Sequence, residues 1–393
     1  MAEDAENSSP RLVRADLARV DGRWQRDMLF AVGADRIHPA SEADLARAEA
    51  DGTDPAAAPR LRATVLPPIT DAHVHVGLTE LADRASGSLA RVLDLGWDPA
   101  RIVERAARAD DAAHAADPAA EFAGTEIRFA GAFLTAPGGY PSTRGWAPPG
   151  SVVGVAAPVE ADAAVAAQVA LGADVVKVTL NADAGPVPDD ATLEAIVAAA
   201  RRRRRPVVAH VEGVGQAERA GRAGVSALAH APWTERLDDA LLAWMAGAGL
   251  RWVATLDIHE RGRGHGAGLS TAASTALDNT RRFVAVGGTV VYGTDAGNDL
   301  DHGELEPREL GLLASAGLDA SALLDALDGR GLLAPWGATV SLLPDDATTR
   351  AALGAGGDVG AGAGPSSAPA ADLIPTLLGA QPVHAAHLEE HLS

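Results

Sequence analysis

From Leu66 onwards, short apolar runs of five to eight residues alternate with longer Ala-rich stretches of helical spacing. Eight runs stand out: Ile69–Val76, Leu89–Leu95, Ile127–Leu134, Asp174–Leu180, Val207–Val211, Ala227–Ala231, Trp252–Leu256 and Thr289–Thr294. The windows Ala191–Arg205 and Leu237–Gly249 carry apolar residues at three- and four-residue spacing, which predicts helices between strands. Repeated βα units predict a parallel sheet with right-handed crossovers, and eight of them predict a closed (β/α)8 barrel. Before Leu66 the pattern is different. Residues 1–10 read as unstructured, and Leu12–Leu17 and Met28–Val32 as short strands, followed by a loose polar connection to Pro55. After about residue 340, Gly354–Ala371 is a Gly/Ala/Ser/Pro link. Ala371–Leu378 reads as a strand returning beside the N-terminal segment, and His384–Ser393 as a short amphipathic end. The expected organisation is α/β: a reduced β-sandwich from 1–65 and 341–393, flanking a barrel over 66–340.

Composition narrows the function classes. A net charge of −20 opposes a nucleic-acid partner, because phosphate binding needs a basic face. Without cysteine there is no disulfide, and a metal must be held by His, Asp, Glu or a modified side chain. No apolar run reaches about 18 residues, and the first 30 residues lack a signal-like pattern. The expectation is therefore a cytoplasmic protein with a small-molecule substrate and no membrane association; whether it forms a homo-oligomer stays open. The five-arginine run Arg201–Arg205 ends a predicted helix, whose C-terminal dipole favours cations, so it reads as a solvated helix end. His384, His387 and His391 read as surface residues.

Candidate chemistry sits at the strand ends. His73 and His75, in Asp71-Ala-His-Val-His75, point to one side of a strand because side chains alternate with period two. His210 and His230 each end a short β run, and Asp295 follows Val290-Val-Tyr-Gly-Thr. Lys177 lies in the apolar strand Val175-Val-Lys-Val-Thr179, where an unpaired ammonium is costly and must neutralise or find a partner. Two explanations stand beside each other: a lysine paired with a carboxylate, or a neutral amine converted by carbon dioxide into a carbamate. Asp71 is expected to hold an imidazole by hydrogen bond. Glu212 is either an acid/base group or a partner of His210. The loops above the barrel carry Tyr140, Arg144, His259, Arg261, Arg263, His265 and His302, where an arginine can clamp a substrate carboxylate.

These motifs resemble the amidohydrolase superfamily over about residues 64–335. Asp71-Ala-His-Val-His75 is similar to its first-strand motif, Gly172-Ala-Asp-Val-Val-Lys177 to its strand-four lysine, and Pro206-Val-Val-Ala-His210 to its fifth strand. Ala229-His230 and Gly293-Thr-Asp-Ala-Gly297 complete the order. Ala130–Gly139, Gly293–Asn298 with His302-Gly303, and Arg308–Gly317 resemble the group of Xaa-Pro dipeptidases and imidazolonepropionase. Pro67-Pro68 and Tyr140 depart from that group's usual residues. The resemblance implies two divalent metals, with His73, His75 and Asp295 on one, His210 and His230 on the other, and a carboxylated Lys177 bridging. Zinc suits such ligands, as do manganese, iron and cobalt. The implied activity is hydrolysis of a C–N bond, in a dipeptide or N-acyl amino acid, by a metal-activated bridging hydroxide with Asp295 as general acid/base. A single-metal deaminase or cyclic-amide hydrolase is the alternative, and a non-catalytic binding barrel a third reading.

Overall fold

The computed structural model describes residues 11–78, 87–115, 124–261, 268–298, 303–353 and 370–392. Its strands are, in chain order, β1 (Arg11–Val20), β2 (Arg23–Val32), β3 (Ile37–Pro39), β4 (Arg60–Leu66), β5 (Thr70–Val74), β6 (Arg91–Asp94), β7 (Glu126–Phe129) and β8 (Phe133–Thr135). They continue with β9 (Val152–Gly154), β10 (Val176–Asn181), β11 (Val207–Glu212), β12 (Ala227–Ala229), β13 (Arg251–Val253), β14 (Thr289–Val291), β15 (Thr339–Pro344) and β16 (Gln381–His384).

Both ends of the chain meet in one six-stranded sheet, in the order β16-β15-β4-β1-β2-β3. The β1–β2 hairpin is local in origin. Asp21 and Gly22 both take positive φ (50° and 73°), the two-residue turn whose twist matches antiparallel strands. Val13, Ala15, Phe30, Val65, Val340 and Leu342 form the core of this sheet, with Trp336 edge-on to Phe30 at 5.4 Å. A single sheet replaces the expected sandwich among the described residues.

Two further readings of the ends need correction. The polar stretch after β3 holds a helix, Glu42–Ala50, started by a reciprocal Ser41–Asp44 cap. Ala370–Leu377 is a helix, not a strand: its buried residues Ala370, Leu373 and Leu377 recur at three and four, which is helical spacing. His384 is not a surface residue. It is buried at the end of β16, where its Nδ1 accepts the Ala386 amide, and burial pulls its imidazole down to about 4. His387 Nε2 lies 3.0 Å from the carbonyls of Ala113 and His114, tying the tail to the helix Pro99–Ala115.

The middle of the chain forms two parallel sheets, β14-β13-β12-β11-β10-β8-β9 and β5-β6-β7, with a helix between β6 and β7 and between each successive pair from β9 to β14. The sheets touch along both margins. On one side Ala72 N–H donates to Tyr292 O (3.0 Å), Asp295 N–H to His73 O (2.7 Å) and His75 N–H to Ala296 O (2.7 Å), joining β5 to the segment after β14. On the other, β7 runs through Ala130-Gly-Ala132 into β8, and Asp174 N–H donates to Phe129 O. Ala72, Leu93, Val175, Val208, Ala227, Val253 and Val291 come together in one apolar cluster. Six of them lie on six different strands, and Val175 just precedes β10. A second, larger cluster lies between strands and helices. The arginine run behaves as a helix end: the helix Asp190–Arg202 stops within it, and Arg202 and Arg203 both pair with Asp162. Among the described residues no helix is long and apolar enough to cross a membrane.

Candidate metal centre

Parallel strands deliver their side chains to a common end, and six of the singled-out residues arrive there. His73 is on β5 and His75 one residue beyond it. Lys177 and His210 lie within β10 and β11, His230 directly follows β12, and Asp295 lies four residues past β14. All six line one pocket. His73, His230 and Asp295 form its tightest group, with ligand atoms all within 4.8 Å of one another. His75 Nε2 lies 3.2 Å from Asp295 Oδ1, and His73 Nε2 lies 3.3 Å from the same oxygen. His73 also sits 4.7 Å from His230 and 5.2 Å from His75, ring to ring. His210 stands at the side, its Nε2 3.3 Å from Glu212 Oε2 and its ring 5.0 Å from that of His230.

Local structure fixes these groups from behind. Asp94, unnoticed in the sequence, ends β6 and accepts the amides of Val76 (2.8 Å) and Gly96 (2.9 Å). That places the Gly96 carbonyl 3.0 Å from His75 Nδ1, which orients the ring. His230 Nδ1 is 2.7 Å from Thr255 Oγ1. Asp71 holds backbone rather than an imidazole. Its carboxylate accepts the amides of His73 and Thr294 (3.0 Å each) and the Thr294 hydroxyl (2.5 Å), stitching β5 to the Asp295 segment. Glu212 accepts from Asn181 Nδ2 at 2.5 Å and also stands 3.3 Å from His210 Nε2. His230, Thr255 and Asp295 take positive φ of 76°, 49° and 57°. Such strain costs about 1–3 kcal/mol per residue and concentrates at working sites.

The electrostatics suit cation binding. Burial, reinforced by Lys177, holds the His73 imidazole well below its usual range, and burial does the same to His230. Both rings are neutral and can offer lone pairs. Burial would raise Asp295, but His75, His230 and Lys177 together bring the carboxyl down to about 2. Lys177 is the only lysine of the chain. It is 1% exposed, and burial, opposed by Asp295 and Asp94, lowers its ammonium to about 7. Neither ring nitrogen of His73 nor Oδ1 of Asp295 makes a hydrogen bond, although all three are buried. Leaving each of them unsatisfied costs about 1–3 kcal/mol. A divalent cation among these atoms would satisfy them together, so the residues fit the metal that the sequence implied.

The rim differs from expectation. Tyr140 lines the pocket, stacked on His210 at 5.2 Å and 24°, and burial pushes its phenol up to about 12. Arg144 is exposed, with its guanidinium carbon 5.5 Å from the Tyr140 ring centre. His259 does not line the pocket; it packs on Trp233 at 4.9 Å, and burial lowers it to about 4. Arg261 turns inward instead of clamping substrate. Its guanidinium donates to the carbonyls of Thr294, Asp295 (3.2 Å) and Asn298 (2.6 Å) and lies 3.6 Å from Asp257. Arg263, His265 and His302 lie outside the described residues. Sequence reasoning missed Phe133, Trp146, Thr179 and Asn298, which also line the pocket. Trp146, in the loop after β8, had no strand-end signal to mark it.

No protein-family model matches the chain, and no curated protein matches its sequence. Solved structures share its fold. An ochratoxinase from A. niger superposes with a TM-score of 0.62 at 19% identity, over 86% of this chain and 90% of its own. A putative prolidase from Bifidobacterium longum gives 0.62 at 19% identity, over 96% and 94%. A Xaa-Pro dipeptidase with methionine bound in its active site gives 0.57 at 20% identity, over 86% and 94%. The chain is thus similar in fold to proteins named as an ochratoxinase, a putative prolidase and a Xaa-Pro dipeptidase.

Proposed function

We propose that this protein is a metal-dependent hydrolase of C–N bonds, acting on a dipeptide, an N-acyl amino acid or a related amide. One observation carries the proposal. Four imidazoles, one ionised carboxylate and the chain's only lysine converge on one buried pocket at the carboxyl ends of parallel strands. The neighbours named as prolidase and Xaa-Pro dipeptidase support the amide and peptide substrate class. We further infer that the two parallel sheets make one closed barrel over about 66–340, supported by the hydrogen bonds along both margins and by the shared inner cluster.

His73, His75 and Asp295 would hold one divalent ion and His210 and His230 a second, with Lys177 between them as its carbamate. Lys177 is suited to that change: a lysine near neutrality offers an amine lone pair to carbon dioxide, and the product is an anion. When bound, such ions lower the pKa of water to near neutrality and polarise a carbonyl. Asp295, ionised, accepts the proton that the attacking water loses and passes it to the departing nitrogen. Asp71, Asp94 and Arg261 keep the Asp295 and His75 backbones in place while this happens.

The contact between His210 and Glu212 favours a second reading, a single-metal hydrolase of cyclic amides or a deaminase with Glu212 as the acid/base group. Paired variants separate the two. Under the leading reading, Lys177→Ala abolishes hydrolysis of an N-acyl amino acid panel and the second metal, while Glu212→Gln keeps measurable turnover. The reverse result would establish the single-metal reading.

A further inference from the structure

Aromatic residues are scarce here, with two tyrosines, five phenylalanines and seven tryptophans in 393 residues. Three of them, Phe133, Tyr140 and Trp146, line the candidate pocket. They form one wall. The Trp146 ring lies 6.0 Å from Phe133, 6.1 Å from Tyr140 and 6.3 Å from His75. Exposure rises along it, from Phe133 at 2%, through half-buried Tyr140, to Trp146 at 36%. The wall therefore leads from the imidazoles to solvent and leaves an indole partly uncovered at the mouth of a polar pocket.

The loop that carries it is ordered by its own hydrogen bonds. Ser142 N–H donates to Gly139 O, Arg144 N–H to Pro141 O, Ala147 N–H to Arg144 O and Ser151 N–H to Pro148 O, all at 2.8–3.1 Å. Thr179 Oγ1 ties the loop to β10 by donating to Tyr140 O at 2.5 Å. A rigid aromatic surface loses little entropy when a ligand covers it. Ring stacking operates at centroid separations of about 4.5–7 Å. A planar group laid on the indole would then sit beside His75, next to a bond held at the imidazoles.

We propose that Trp146 is a specificity-determining residue, selecting substrates with an aromatic or other planar apolar group directly flanking the scissile C–N bond. This rests on the hydrolase reading above. Phe133 and Tyr140 complete the surface, and small aliphatic substrates leave it uncovered and bind less well.

The test uses metal-replete full-length protein and matched N-acetyl amino acids carrying alanine, leucine or phenylalanine. The ratio of kcat/KM for the phenylalanine member to that for the alanine member should be at least tenfold. It should fall towards one in Trp146→Ala and recover in Trp146→Phe. Calorimetric binding of N-acetyl-phenylalanine and N-acetyl-alanine to the same three proteins gives a readout that needs no turnover. Hydrolysis with a ratio near one, or a ratio that Trp146→Ala leaves intact, overturns the role of Trp146 and spares the hydrolase reading. Selective, Trp146-dependent binding without hydrolysis of any member keeps the aromatic site and overturns the hydrolase reading. Neither hydrolysis nor selective binding overturns both.

Discussion

Half-buried Arg261 and buried Glu309 decide how Asp295 is presented. Arg261 holds three carbonyls of the segment around it, and Glu309 holds the amide of Asp257, which in turn stands beside Arg261. Replacing Arg261 by Met removes the clamp and lets the strained Asp295 relax. Because small misplacements of reacting groups cost up to about 100-fold, kcat should fall at least tenfold while KM and the circular-dichroism spectrum change little; an unaltered kcat would show the clamp to be idle. Glu309 makes a pH prediction. Burial, opposed by the backbone amides it accepts, raises its carboxyl from 4.5 to about 8. The folded state thus binds its proton more tightly than the unfolded chain. Its contribution to stability is complete below about pH 4.5 and is lost as pH rises to about 8. Glu309→Gln keeps the acceptor and removes the titration. Its Tm relative to wild type should rise by a few degrees between pH 5 and pH 8, and a flat difference would contradict the assignment. The candidate ligands were legible in the sequence because each is a polar residue within or just after a short apolar run. Asp94 fits the same rule in Arg91-Val-Leu-Asp94 and was overlooked beside the histidines. The inward turn of Arg261 was not legible, because its partners are backbone carbonyls more than 30 residues away.

Two of the strands that carry the site are very short. β12 and β14 have three residues each, so His230 and Asp295 lie on the turns beyond them. Those turns have tight steric demands. Gly297 takes φ of +105°, and a Cβ there would come within 2.4 Å of the His75 carbonyl. Gly297→Ala should therefore push His75 and Asp295 apart. We expect metal content to fall below half that of wild type, with secondary structure retained; full metal loading would refute the close approach. Periodicity located β5, β6 and β10 to β14 because buried parallel strands read as unbroken apolar runs, but it ran β7 and β8 together as Ile127–Leu134 and passed over the three-residue β9. It failed at the ends of the chain. Ala370–Leu377 is apolar enough to pass for a strand, and only its three-and-four spacing of buried residues marks it as helix. Glu42–Ala50 alternates charged residues with alanine and has one leucine, and the Ser41–Asp44 cap was its one clear sign.

At the scale of the molecule, the chain couples a six-stranded sheet built from both termini to a parallel α/β body whose strand ends gather the candidate ligands. If cations complete this site, they bind the folded state alone and stabilise it by mass action, by about 4 kcal/mol at a thousandfold excess over Kd. A chelator should lower Tm, and added zinc or manganese should restore it. The central claim, a two-metal site organised by a modified Lys177, is tested most directly by counting metals per chain. The count should accompany a 13C NMR spectrum of protein equilibrated with 13C-labelled bicarbonate, where a single lysine lets Lys177→Ala assign the side-chain signal. The account predicts close to two metals per chain and one carbamate resonance, with the resonance and the second metal both absent in Lys177→Ala. Folded protein that takes up no metal, shows no carbamate and keeps its Tm in chelator would contradict it.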